Sequence, residues 1–146
     1  MNMLFSIRRK RKKITANVVF FSFSESDRDT VLAIKTKAMD PQYTRLNFMV
    51  QDLMKRWRTK DLKAIRHAIE GPITAASRTI VLVGKDTYKS LWVAEEVKIT
   101  LEQGKPVYAI HLKNGHVMIP FCLKNNDIYI YPSHEENLQY LATRKM

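Results

Sequence analysis

The sequence predicts an α/β protein with a doubly wound parallel sheet covered by helices on both faces. Three observations carry this. Short apolar, β-branched runs alternate with helical segments along the whole chain. Two of the runs, "NVVFFSF" and "RTIVLV", have no polar alternation, as strands buried on both faces require. The connections are long enough for right-handed crossovers rather than hairpins. Five strands in the flavodoxin-like order 2-1-3-4-5 fit the pattern.

Taken in order, residues Asn17 to Phe23 form the first strand, and Ser24, Ser26 or Asp27 can cap a helix running to about Met39. Asp40-Pro41 ends it, because a residue before proline is steered away from helical ψ. Leu46 to Gln51 is the second strand. Thr59 or Asp61 then opens a helix with Leu62, Ile65, Ile69 and Ile73 at helical spacing, which Gly71-Pro72 should distort or end. Arg78 to Val83 is the third strand, closed by Gly84, and Ser90 caps the next helix. Gly104-Lys105-Pro106 stops that helix before the fourth strand, Val107 to Leu112. Asp127 to Tyr131 is a weaker fifth strand, and "SHEE", Ser133 to Glu136, fits a capping box for a last helix.

At 146 residues the chain has the size of one domain, expected over 14–146 after a basic arm at 1–13. Its 45% apolar and 27% charged content are those of a soluble globular protein. Neither a membrane span nor a secretory signal is visible, so a cytoplasmic location is expected. One cysteine, Cys122, permits no internal disulfide, and the four histidines lack metal-ligand spacing, so no metal is expected. Of the net charge of +11, "RRKRKK" (Arg8 to Lys13) supplies six, leaving +5. A second basic cluster, Lys55 to Arg66, surrounds Trp57. Such arms bind phosphate backbones or anionic membranes, but charge alone carries no sequence readout, and a solubilising tail is the simpler reading. Nucleic acid and membrane are therefore not expected partners.

In sheets of this order, ligands sit beyond the carboxyl ends of the strands, at the switch point between strands 1 and 3. "SFSES", "QDLMK" and "GKDTYKS" converge there. Neither a GxGxxG nor a Walker loop is present, so a nucleotide must be held in another way. On a helical wheel from Leu91, residues Trp92, Val93, Val97, Thr100 and Leu101 share one half-circle. Glu96 falls inside that arc and Glu95 outside it, beside Leu91 and Glu102. A carboxylate in an apolar stripe is costly unless paired, and a protein that keeps one there often uses it. The alternative is a stripe-edge position near the helix N-terminus, where negative charge is mildly favoured.

The segments "VVFFSFSESDRD", "FMVQD", "AIRHAIEGPITAASRTIVLVGKDTYKSLWVAEEV" and "GKPVYAIHL" resemble the bacterial TIR-like domains, above all the NAD-processing subunits of Thoeris anti-phage systems. The resemblance spans roughly residues 17–112, and its most specific part is the strand, "VG", "T..S.WV..E" succession. In that family the glutamate four residues after the tryptophan is catalytic, which implies Glu96 and not Glu95. The resemblance further implies cleavage of NAD⁺ at the nicotinamide–ribose bond, giving a cyclic ADP-ribose isomer or another ADP-ribose conjugate as an infection signal for a downstream effector. No cofactor beyond NAD⁺ as substrate is implied. It places Phe21, Ser22, Phe23 and Ser24 against the nucleotide, although either phenylalanine can equally be core. Asp52 matches an acidic residue after strand 2, or simply caps a turn. Trp92 lines the pocket or packs the helix, and Gly84 lets the chain turn closely past the ligand. Lys55 and Arg56 meet pyrophosphate or stay solvated. TIR domains often build composite sites between protomers, so a homo-oligomer is compatible, and the basic arm lies outside the match. Two other classes remain open: a non-catalytic self-association module, and a nucleoside deoxyribosyltransferase-like enzyme.

Overall fold

A computed structural model describes residues 17–53, 56 and 59–145. The arm at 1–13, together with Lys55 and Trp57 of the basic cluster, lies outside the described residues. Five parallel strands, β1 (Val18–Phe23), β2 (Met49–Gln51), β3 (Arg78–Val83), β4 (Val107–His111) and β5 (Ile130–Tyr131), form one sheet in the order β2-β1-β3-β4-β5. Phe21 pairs with Ile80 and Val81 with Ala109, so the two strands read as doubly buried are central. Helices α1 (Arg28–Met39) and α5 (Glu135–Thr143) pack on one face. On the other lie α2 (Leu62–Thr74), α3 (Leu91–Glu102) and the short α4 (Phe121–Asn125).

The faces follow from the two-residue period of a strand. Val19, Phe21 and Phe23 join Val31, Phe48 and Leu138 on the α1/α5 face, whereas Phe20 meets Ile65, Ile69 and Ile73 of α2. Ser22, one period beyond Phe20, therefore points toward the α2/α3 face. That alternation is what delivers a hydroxyl to the helix carrying Glu96.

Several local expectations are corrected. Gly71-Pro72 does not end α2, which runs to Thr74 with Pro72 inside its last turn. Continuing the helix keeps Ile73 in the buried stripe, and the proline forfeits only one late hydrogen bond. The capping box at Ser133 does not form. His134 occupies the cap position without a side-chain bond, because the Ser133 hydroxyl donates to the Leu112 carbonyl at 3.0 Å, just beyond β4. The segment Phe121–Asn125 forms a further short helix, without a helical period in the sequence to announce it. Asp27 heads α1 without donating or accepting a capping bond through its side chain. By contrast, Asp61 caps α2 through Lys63 and Ala64, and Ser90 caps α3 through the Val93 N–H.

The rim opposite the cleft is held by a buried arginine. Nη1 of Arg78 donates to the carbonyls of Leu141 at 3.1 Å and Arg144 at 2.7 Å, satisfying the last turn of α5. Arg78→Met keeps the volume but strips these charge-assisted bonds, and is expected to cost about 2 kcal/mol in urea unfolding. An unchanged midpoint would show that α5 is held by its apolar face alone.

Candidate functional site

The carboxyl ends of β1 and β3 open onto a cleft of about 750 Å³. Ser24 and Glu25 after β1, Arg56 and Lys60 after β2, and Asp86 and Trp92 around the start of α3 line it. These are the three segments that the strand order brings to the switch point.

Glu96 lies directly beneath, and it is not part of the cleft wall. Its residue is 0% exposed. Ser22 Oγ donates to Glu96 Oε1 at 2.7 Å, and Nη2 of Arg56 donates to Oε2 at 3.0 Å and to Oε1 at 3.3 Å. The Arg56 guanidinium also donates from Nε to the Leu53 carbonyl at 3.1 Å and from Nη1 to the Phe23 carbonyl. It lies over the rings of Phe23, 4.6 Å from the centroid, and Trp92, 5.7 Å away. So the cleft ends on a guanidinium whose far edge grips the carboxylate.

Burial pushes the Glu96 carboxyl up from 4.5 to about 7. The Arg56 charge and the Ser22 hydroxyl pull the other way, and the nearby Asp52 charge adds to the rise. Removing a carboxylate from water outweighs even a close ion pair here. Behind Glu96 the backbone is pinned: the Thr100 hydroxyl donates to the Glu96 carbonyl at 2.7 Å, and Thr79 of β3 lies 2.6 Å from Thr100. The helix is thus tied to the central strand one turn from Glu96.

The remaining sequence-derived positions divide clearly. Phe23, Ser24 and Trp92 border the cleft or the buried pair, and Ser22 touches Glu96 itself. Phe21 points to the opposite face, where its ring meets Phe48 edge-on at 6.0 Å, and it takes no part in this constellation. The Asp52 carboxylate is 2.8 Å from Lys35 Nζ and acts on Glu96 at a distance through its charge, and the turn it could cap, at 54 and 55, lies outside the described residues. Gly84 leaves room for a neighbour: a β-carbon there would lie 2.2 Å from Asp27 Oδ2, so one of the two would have to shift. Among the described residues, Lys60 and Lys89 are the lysines on the cleft wall.

Two residues behave differently from expectation. Glu95 is also buried, 7% exposed, but it faces Arg66 of α2 at 3.4 Å. α3 packs against both the sheet and α2, so its buried face is wider than the wheel allows, and Leu101 falls outside it at 38% exposed. Arg56 lines the cleft without being solvated, since its side chain is only 4% exposed. The one hint of this in the sequence is the place of Arg56, in a basic run closely following a strand that ends at the switch point.

Among the described residues, no group of three or more His, Cys, Asp or Glu side chains is placed to hold a metal ion. No helix among them is long and apolar enough to cross a membrane.

The sequence profile of the family described as Thoeris protein ThsB, TIR-like domain, matches residues 20–116. Among solved structures, the chain is similar to the TIR domain of the Toll-related receptor TRR-2 from Hydra magnipapillata. That likeness has 18% identity, covers 85% of this chain and 90% of that one, and reaches a TM-score of 0.54. At such identity it speaks for the fold. A search of the curated proteins returns no match.

Proposed function

Because the chain belongs to the family of Thoeris ThsB TIR-like domains, we propose that it cleaves NAD⁺ at the nicotinamide–ribose bond, with Glu96 as the catalytic carboxylate. The observation that carries this is the position of Glu96, hydrogen-bonded to Ser22 and lying under the closed end of a switch-point cleft of about 750 Å³, large enough for a nucleotide ligand. NAD⁺ is the only small molecule the proposal requires, and no metal enters it.

The chemistry asks little of the protein. Nicotinamide departs as a neutral group, so no general acid is needed. The ribose left behind develops oxocarbenium character, as at a glycosidic bond. A carboxylate held against it by the sheet and by Ser22 stabilises that charge without reorganising at the moment of reaction. Phe23 and Trp92 provide aromatic faces for the flat end of the substrate. Closure to a cyclic ADP-ribose isomer, or capture by another nucleophile, requires a group of the same substrate or a second one to reach the cation ahead of water. The product then acts as a signal on a downstream effector in antiviral defence, in the cytoplasm, with the enzyme working alone or as a homo-oligomer.

The test is incubation of the purified chain with NAD⁺, alone and with lysate of phage-infected cells, followed by mass spectrometry of the products. No nicotinamide release under either condition would remove the proposal. Ser22→Ala adds a second check. Losing the donor on Glu96 Oε1 pushes the carboxyl further up, so the rising limb of the pH–rate profile should move to higher pH. Activity near neutrality should fall roughly tenfold and recover in alkali. A loss equal at every pH would mean that Ser22 serves only packing.

A further inference from the structure

The atoms around the Arg56 guanidinium form a site in their own right. Among the described residues, its partners are both oxygens of Glu96 and the carbonyls of Leu53 and Phe23. Two aromatic rings, Phe23 and Trp92, lie within cation–π reach of its carbon. An enclosure of acceptors at the edge and π-faces alongside suits one kind of guest, a flat delocalised cation, better than a compact ammonium. Arg56 is itself one wall of the cleft, and it bonds the fully buried Glu96 behind it.

We propose that this enclosure is a flat-cation subsite, filled in the resting protein by the chain's own Arg56, which therefore competes with any cationic ligand for Glu96. The guanidinium stands in for the positive end of the ligand, and binding of that end requires the side chain to leave. Two features make the exchange feasible. Arg56 itself lies in neither a helix nor a strand. Its charge, once displaced, opens onto a cleft whose wall also carries Glu25 and Asp86 as alternative partners. Internal competition reduces apparent affinity by the fraction of molecules in which the subsite is free. Arg56 is thus a resident competitor.

The subsite is tested without any enzymatic assay by Arg56→Ala and millimolar guanidinium chloride, with equal sodium chloride as control. The variant should gain several degrees in Tm from guanidinium by ligand linkage, while the wild type and the double variant R56A/E96Q gain none. If R56A is unfolded in buffer, guanidinium should restore its folded near-ultraviolet signal. An R56A protein indifferent to guanidinium, or a gain shared by the wild type, overturns the proposal. A second measurement rests on the reading of NAD⁺ as substrate. Arg56→Lys keeps a charge beside Glu96 but gives up the flat donor face, and should lower the KM for NAD⁺ about three- to tenfold. A raised KM would make Arg56 a ligand for the substrate and also overturn the competition. Should no variant cleave NAD⁺, the proposed function fails, while the guanidinium result still decides the subsite.

Discussion

Glu96→Gln is expected to abolish nicotinamide release, with kcat falling at least about a thousandfold while the chain stays folded. Glutamine has the same shape, and its amide oxygen can still accept from Ser22 or Arg56, so the packing beneath the cleft survives. What disappears is the negative charge facing the ribose. A thousandfold corresponds to about 4 kcal/mol of transition-state stabilisation, a reasonable yield for one preorganised charge at a fully buried position. Nicotinamide formation in single turnovers, followed by mass spectrometry, measures it directly. Full activity in the variant would remove Glu96 from the chemistry and favour a module that acts by self-association. Turnover of deoxynucleosides by the wild type would instead favour the deoxyribosyltransferase-like alternative. Glu95→Gln is the natural companion. Its partner Arg66 is also engaged by Glu102, so the loss there is that of a partly exposed ion pair.

How far the sequence could be read depended on how local each signal was. β1 and β3 were legible because strands buried on both faces leave unbroken apolar runs. The strand order followed from alternation with helices. The cleft position followed from the order, since three short segments must meet where the sheet reverses direction. Glu96 was visible as a break in helical period, and the same wheel misjudged Glu95, because period reports one buried face and α3 has two neighbours. Phe21 and Phe23 could not be separated by composition. Their shared face is settled by pairing register, and what distinguishes Phe23 is that it ends the strand, where Arg56 lies over its ring. Arg56 itself was the hardest to foresee. It belongs to a connection with no period, and its basic neighbours made it resemble a solvated cluster. The tertiary fold alone brings it from the end of β2 across β1 to a helix forty residues further on.

Between about pH 4.5 and 7, the stability of the wild type is expected to fall by about 3 kcal/mol relative to Glu96→Gln. The group's ordinary value is 4.5, and burial raises it to about 7 in the folded chain. Each unit of displacement is worth about 1.4 kcal/mol. Within that window the folded state holds a proton that the unfolded state has released, so stability decreases as pH rises. The contribution is fully present below pH 4.5 and gone once pH passes about 7. Glutamine does not titrate, so the difference between the two proteins isolates this one group from other carboxylates. Urea unfolding of both proteins across the range measures the difference. Parallel curves would show that Arg56 keeps Glu96 ionised throughout, with pairing rather than burial dominating. The direction matters for catalysis, because the form that stabilises a ribosyl cation is the ionised one. Activity should therefore climb through the pH range in which the wild type loses stability. A carboxylate tied into water or a surface ion pair would be cheaper to ionise, but it would meet the cation already neutralised by solvent. Placing Glu96 under the cleft, with one hydroxyl and one displaceable guanidinium as partners, leaves its charge largely unspent until a cationic substrate arrives.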